Sequence, residues 1–252
     1  MGKPQAGVLL VTGGSRGIGA ATARLAAAQG WAVAVNYTAN SLAADEVVRS
    51  IRSAGGNAIT VQADVADEAQ VLRMFEKVDA KLGRLTGLVN NAGVVDVTAR
   101  LDEMDMARWR RMFDINVMGS LLCAREAVRR MATRHGGDGG AIVNVSSAAA
   151  RLGAPGQYVD YAAAKGAIDA FTIGLAKEVA ADGIRVNAVR PGLIETEIHA
   201  SGGLPNRVND LKHQVPMQRG GTADEVAQAI VWLLSDAASY TTMSLLEVSG
   251  GR

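Results

Sequence analysis

Val11-Thr12-Gly13-Gly14-Ser15-Arg16-Gly17-Ile18-Gly19 follows a short β-branched run and opens an Ala-rich helical stretch. Gly13, Gly17 and Gly19 form a G-x-x-x-G-x-G turn, one residue longer than the common dinucleotide fingerprint. Glycines here let the chain reverse sharply and let main-chain amides approach a pyrophosphate closely. The helix N-terminus behind them adds about half a positive charge. Such a turn predicts a doubly wound α/β sheet with its ligand beyond the carboxyl ends of the strands.

Outward from this turn, strands are expected at Val8–Val11, Ala32–Asn36, Ala58–Gln62, Leu88–Asn90, Ala141–Val145, Ile184–Val189 and Ser244–Val248. Helices are expected near Gly17–Gln29, Leu42–Ser53, Glu68–Leu82, Asp105–Arg134, Val159–Ala181 and Ala223–Ser235. Gly30, Gly55, Gly83, Gly136 and Gly183 follow helices, where a left-handed C-cap residue belongs. Thr222 and Glu225 read as a capping box. Regular β-α alternation implies right-handed crossovers and a parallel sheet covered on both faces. There is no repeat or linker, so residues 1–252 are read as one domain.

Hydrophobic residues make up 48% of the chain but aromatics only 4%, so Ala, Val, Leu and Ile must fill the core. The formal charge of +1 suggests neither a nucleic-acid surface nor a membrane-attracting face. Cys123 is the sole cysteine, which excludes an intrachain disulfide and suggests a reducing compartment. No apolar run reaches the roughly 18 residues that cross a bilayer. Met1-Gly2 resembles a myristoylation start, but Ala6 stands where Ser or Thr is wanted. A cytoplasmic protein is expected. His135, His199 and His213 lack metal-ligand spacing, so no metal is expected; His199 lies where it could touch substrate.

The end of the second strand bears on cofactor choice. Enzymes preferring NAD usually carry Asp or Glu there, whereas this chain has Asn36, then Tyr37 and Thr38. A carboxylate would repel the extra phosphate of NADP by about 4 kcal/mol at 4 Å and an effective dielectric of 20. Arg16, unfavourable beside a helix N-terminus by about 0.3–1 kcal/mol, becomes favourable with an anion nearby. NADP is expected, with NAD possible through Asn36 and the ribose hydroxyls. Ser15 and Ile18 complete the glycine turn's cofactor surface. Asp64, followed by Val65, either accepts from the adenine amine or caps the next turn. Asn90-Asn91-Ala92-Gly93 gives a small-residue turn that lets the backbone pass close to the cofactor.

Tyr161-Ala162-Ala163-Ala164-Lys165 places a phenol and an ammonium one helical turn apart on one face. A free phenol titrates near 10, and each unit of depression needs about 1.4 kcal/mol of selective phenolate stabilisation. Lys165 and an oxidised nicotinamide would supply favourable charge. A phenol so tuned donates a proton to a developing alkoxide or accepts one in the reverse direction.

TGGSRGIG, NNAG, a strand ending in serine, YAAAK and VNAVRPG occur in order along the chain. In this combination the chain resembles the compact short-chain dehydrogenase/reductase family over essentially its full length. The resemblance implies a Rossmann-type seven-stranded parallel sheet, a homotetramer and a catalytic tetrad of Asn116, Ser147, Tyr161 and Lys165. Asn116 would hold water in a proton relay reaching Lys165, and Ser147 would bind the substrate oxygen. Lys165 would also hold the nicotinamide ribose, while Pro191, Gly192, Ile194 and Thr196 would hold its carboxamide end.

The chain departs from the family pattern in places. Ser147 precedes Tyr161 by one residue more than is usual, and Ser146 is an alternative. Tyr158 is followed four residues later by Ala162, not lysine. Met243 stands where glycine is common. Residues Glu195–Val215 read as a substrate lid. The expected activity is hydride transfer between NADP(H) and a small carbonyl or alcohol. A 3-oxoacyl-carrier reductase is the enzymatic alternative, with Asp182 arguing against it, since such reductases tend to carry a basic residue there to dock an acidic carrier. The insertion and lid look closer to the sugar-dehydrogenase type. A non-catalytic NADP-binding regulator is the alternative from another class.

Overall fold

The seven expected strands all form, with ends shifted by no more than two residues. They are β1 (Gly7–Val11), β2 (Trp31–Tyr37), β3 (Ala58–Gln62), β4 (Gly87–Asn90), β5 (Gly140–Val145), β6 (Ile184–Pro191) and β7 (Leu245–Val248). The helices are α1 (Gly17–Ala28), α2 (Ser41–Ser53), α3 (Glu68–Leu82), α4 (Met106–Phe113), α5 (Gly119–Met131) and α6 (Ala149–Leu152). They continue with α7 (Val159–Val179), α8 (Ile198–Ser201), α9 (Arg207–Leu211) and α10 (Ala223–Leu234). This computed structural model describes residues 7–252, apart from the side chains of His199 and Ser201. The readings of Met1, Gly2 and Ala6, and the substrate contact offered for His199, lie outside the described residues.

The sheet is wholly parallel, in the order β3-β2-β1-β4-β5-β6-β7, so the chain reverses its direction of winding between β1 and β4. Alternate residues of each strand point to opposite faces. Leu9, Val11, Val33 and Val35 join Ala23 of α1, Val47 of α2 and Ile230 of α10. Val8, Leu10 and Leu88 join Phe75 of α3, Cys123 of α5 and Ala176 of α7 on the other face. Both faces are dry, which is why the strands read as continuous apolar runs. Burial pushes the Cys123 thiol up to about 12, leaving an inert core residue.

Gly30, Gly55, Gly83, Gly136 and Gly183 all have positive φ, with Gly136 and Gly183 in the expected left-handed conformation and Gly83 departing from it at ψ −169°. Both halves of the Thr222–Glu225 capping box are made. The long helix expected over Asp105–Arg134 is not one α-helix. It widens to a π-helical segment over Asp114–Met118, centred on Asn116. The Asn116 amide donates to Met112 O at 2.9 Å and Val94 O at 3.1 Å, tying the helix to the loop after β4.

Met243, in the turn before β7, adopts φ +67° without being glycine. A left-handed residue with a Cβ costs about 1–2 kcal/mol, and glycine's greater freedom in the unfolded chain offsets part of any relief. Met243→Gly is expected to raise unfolding free energy by roughly 0.5–1 kcal/mol. A higher urea midpoint at unchanged slope would confirm this, and a lower midpoint would refute it.

Candidate active site

The glycine turn is held against the loop after β4 by a knot of hydrogen bonds. The Thr12 hydroxyl donates to Val89 O and accepts from the amides of Asn91 and Ala92 at 2.9 and 3.0 Å. The Asn91 side chain donates back to the carbonyls of Thr12 and Gly13 at 2.8 and 3.0 Å. Gly19 is sealed beneath this knot, where a Cβ would stand 2.4 Å from Gly13 O. Arg16 provides no side-chain cap for α1, so the first-turn amides of that helix remain for an anion.

A cleft of about 850 Å³ opens above the knot, at the carboxyl ends of the strands. Gly13, Ser15, Arg16, Gly17, Ile18, Tyr37, Asp64, Val65 and the run Asn91-Ala92-Gly93 line one end. Ser147, Tyr161 and Lys165 line it further along, with Pro191, Gly192, Ile194 and Thr196. Thr196 reaches across the cleft, since a Cβ on Gly17 would stand 3.3 Å from its Cγ2. One oxygen of Asp64 accepts from the Ala66 amide at 3.0 Å, so this carboxylate caps its turn as well as lining the cleft.

Tyr161 and Lys165 project together from α7, the ammonium 5.6 Å from the phenol ring centroid. Lys165 is buried and donates to Val145 O at 2.7 Å, the carbonyl at the tip of β5. Burial brings its pKa down to about 8, against a smaller opposing pull from Asp169 one turn along. Ser147 hydrogen-bonds the Tyr161 side chain. Ser146 instead points away and donates to Lys165 O at 3.2 Å. Asn116 lies just behind the wall, its Oδ1 2.8 Å and Lys165 Nζ 3.6 Å from where a Cβ on Gly93 would stand.

Burial raises the Tyr161 pKa in the chain alone, outweighing the Ser147 hydrogen bond that lowers it. Lys165, itself drawn down to about 8, is a weakened source of positive charge.

The group of ionisable residues beneath Tyr161 was not legible in sequence. Asp160, beside Tyr161, is buried and grips Arg108 of α4 through two bonds of 2.7 and 3.2 Å. It also accepts from the Tyr161 amide at 2.9 Å, fixing the first turn of α7. Arg108 in turn donates to Val97 O at 2.7 Å. Nothing in the spacing of residues 108 and 160 announces such a pair. The loop 153–158 carries Gly153, Ala154 and Gly156 at positive φ, a tight course that can absorb the extra residue before Tyr161.

A protein-family profile described as Enoyl-(Acyl carrier protein) reductase matches residues 13–252. An uncharacterized oxidoreductase of Escherichia coli, YgfF, is 59% identical over 97% of this chain and 99% of its own. The cis-4-hydroxycyclohexanecarboxylate dehydrogenase of Sinomonas cyclohexanicum is 44% identical over 97% of this chain and 95% of its own. A short-chain dehydrogenase/reductase double mutant from Serratia marcescens superposes with a TM-score of 0.90 at 33% identity, covering 98% of each chain.

The chain belongs to the short-chain dehydrogenase/reductase family. Members act on CH-OH groups with a nicotinamide dinucleotide, and this fold presents the cleft for one. The residues present fit that group: Gly13 and Gly19 give close backbone approach, and α1 offers uncapped amides. Among the described residues, no helix is long and apolar enough to cross a membrane, and no His/Cys/Asp/Glu group could hold a metal.

Asn36 requires a correction. It does not line the cleft; it is 1% exposed, with Nδ2 donating to Val61 O at 3.3 Å and Ala63 O at 3.0 Å. Its Oδ1 accepts from the Gly13 amide at 3.1 Å. β2 runs one residue further than expected, and alternation along it points Asn36 inward and Tyr37 to the rim. Asn36→Asp would therefore aim a buried carboxylate at two carbonyls. A loss of at least ~2 kcal/mol is expected, or roughly 5 °C in Tm without nucleotide. An unchanged Tm would show that the Asn36 amide is not holding the strand ends.

Proposed function

We propose that this enzyme transfers hydride between NADP(H) and a small carbonyl or alcohol, with Tyr161 as the general acid and base. The convergence of Ser147, Tyr161 and Lys165 in one cleft with the glycine turn carries the reading. When bound, the dinucleotide supplies the hydride that reaches the carbonyl carbon, or accepts it from the alcohol. Ser147 orients the substrate oxygen and stabilises charge developing there. Tyr161 gives its proton to that oxygen during reduction and takes it back during oxidation. Lys165 holds the nicotinamide ribose and lends charge to the phenol. Because burial alone holds the phenol high, its depression depends on the cationic ring of the oxidised cofactor. Asn116 connects Lys165 to water through the widened segment Asp114–Met118.

NADP is favoured by the rim at the ribose end, where Arg16, Tyr37, Thr38 and Asn40 present no carboxylate. Residues 195–215 cover the substrate. The catalytic unit is the single domain 1–252, assembled as a cytoplasmic homotetramer through the faces of α5 and α7. Exposed Met118, with Phe113 on the adjoining α4, supports burial there against another subunit. A 3-oxoacyl-carrier substrate is less favoured, since Asp182 is paired with Arg134 at 3.3 Å and offers no cation to an acidic carrier.

Tyr161→Phe is expected to lower kcat by about a thousandfold while leaving the NADPH Kd nearly unchanged. Normal turnover by this variant would overturn the assignment. NADPH should exceed NADH in kcat/KM for the parent, with Arg16→Ala narrowing the ratio about fivefold and high salt reproducing part of the change. A parent that prefers NADH would overturn the cofactor reading.

A further inference from the structure

The end of the cleft beyond Tyr161 carries two guanidinium groups, each without an ion pair to any carboxylate among the described residues. Arg207, the first residue of α9, stands with its guanidinium carbon 5.2 Å from the ring centroid of Tyr158. Tyr158 is buried and immediately precedes α7, one turn before Tyr161. Arg252 donates to Gln214 Oε1 at 3.2 Å, while its main-chain oxygen accepts from Arg151 at 2.7 Å. Both arginines line the same cleft as Ser147 and Tyr161. Burial first and the charge of Arg207 second hold Arg252 below its ordinary pKa.

Two other arginines at or near the site are paired with carboxylates. Arg111 at the same cleft meets Asp96 at 3.3 Å, and Arg190 meets Asp169 at 2.8 Å. The Glu197 carboxylate lies at the glycine-turn end of the cleft, 3.7 Å from where a Cβ on Gly17 would stand. Two like charges facing a partly dry cleft are unfavourable alone and become favourable once an anion lies between them. Around them the lining is apolar, with Val95, Leu152, Pro155, Leu193 and Ile198. Arg16, at the opposite end on the glycine turn, is placed for the cofactor and not for this site.

We propose that Arg207 and Arg252 form an anion subsite that takes the carboxylate of an oxo or hydroxy acid with an apolar body. The inference rests on the redox reading above and names its substrate class. A planar guanidinium matches a carboxylate through two parallel hydrogen bonds. With its acid end held there, such a substrate extends back along the apolar wall to present its carbonyl to Ser147 and Tyr161. Lid closure over α9 would then depend on the substrate's own charge.

The test compares oxo acids with their methyl esters, levulinate and methyl levulinate among them, and with a phosphomonoester of the corresponding keto alcohol. Parent kcat/KM is expected to favour acid over ester by at least ~tenfold. Arg207→Gln and Arg252→Gln should shrink that ratio about tenfold, mainly through KM for the acid. Calorimetry with the same acids, with and without NADPH, reads carboxylate binding without requiring turnover. An unchanged carboxylate affinity in Arg207→Gln overturns the subsite, as does equal use of acid and ester. Preference for the phosphomonoester overturns the carboxylate assignment. Failure of the parent to bind either nicotinamide nucleotide overturns the redox reading instead, and leaves the calorimetric result on the acids standing.

Discussion

The contact between the turn after β1 and the loop after β4 is the constraint on which the rest depends. These strands are neighbours, but the chain winds away from them in opposite directions, so their carboxyl ends leave a crevice. Thr12 and Asn91 close the bottom of it by satisfying main-chain groups that neither loop could satisfy alone. A Cβ on Gly13 would stand 2.9 Å from the Ala92 Cα, so glycine sets how closely the two loops meet. Looser packing would leave those groups unpaired at about 1–3 kcal/mol each and would misplace the floor of the cleft. Lys165 depends on the same alignment, because its anchor is the carbonyl of Val145 at the tip of the next strand.

Holding Lys165 away from water is costly, and the surrounding polar groups are arranged to bear it. Asp169 lies one turn below and is itself clasped by Arg190 through two bonds, with Glu247 of β7 on the far side of that arginine. Across the sheet, Asn90 donates to Asn144, which donates to Thr172 on α7, each at 2.9 Å. These buried links register α7 against β4 and β5 more sharply than apolar packing alone, since a slipped polar chain leaves donors unpaired. Tyr161 is thus positioned from below by the Lys165 face of its helix and from the side by the Asp160–Arg108 pair. The precision of the site is a property of α7's attachments.

Periodicity and turn chemistry made the fold legible in the sequence. Alternating Val-rich runs, five glycine stops and one capping box were enough to give seven strands and most helices within two residues. Many residues gathered at the cleft were legible for the same reason, as they fall at strand ends that the alternation locates, whereas Tyr161 and Lys165 on α7 were legible from their one-turn spacing and the family resemblance. Asn36 was misread because residues 36 and 37 face opposite ways, and it is Tyr37, the last residue of β2, that faces the cleft. The Arg108–Asp160 pair and the Arg207–Arg252 cluster were not legible at all. Each joins residues from distant segments, and no local pattern requires an arginine to meet a particular partner.

One departure from regular structure falls beside the cleft. Residues 105–134 have the composition of one continuous helix, yet the ladder opens at Asn116, whose amide takes the Met112 carbonyl and reaches out to Val94. A side chain that competes for its own helix's carbonyls is a poor helix former, and here that competition widens the turn. The widened turn lets one residue bind the loop after β4 without ending the helix, and it brings Asn116 beside Gly93 and Lys165. Regular α-geometry would have turned that amide along the helix surface instead. Local rules fail at this position because the backbone there is shaped by what it must hold in place, which is how a functional segment departs from its sequence propensity.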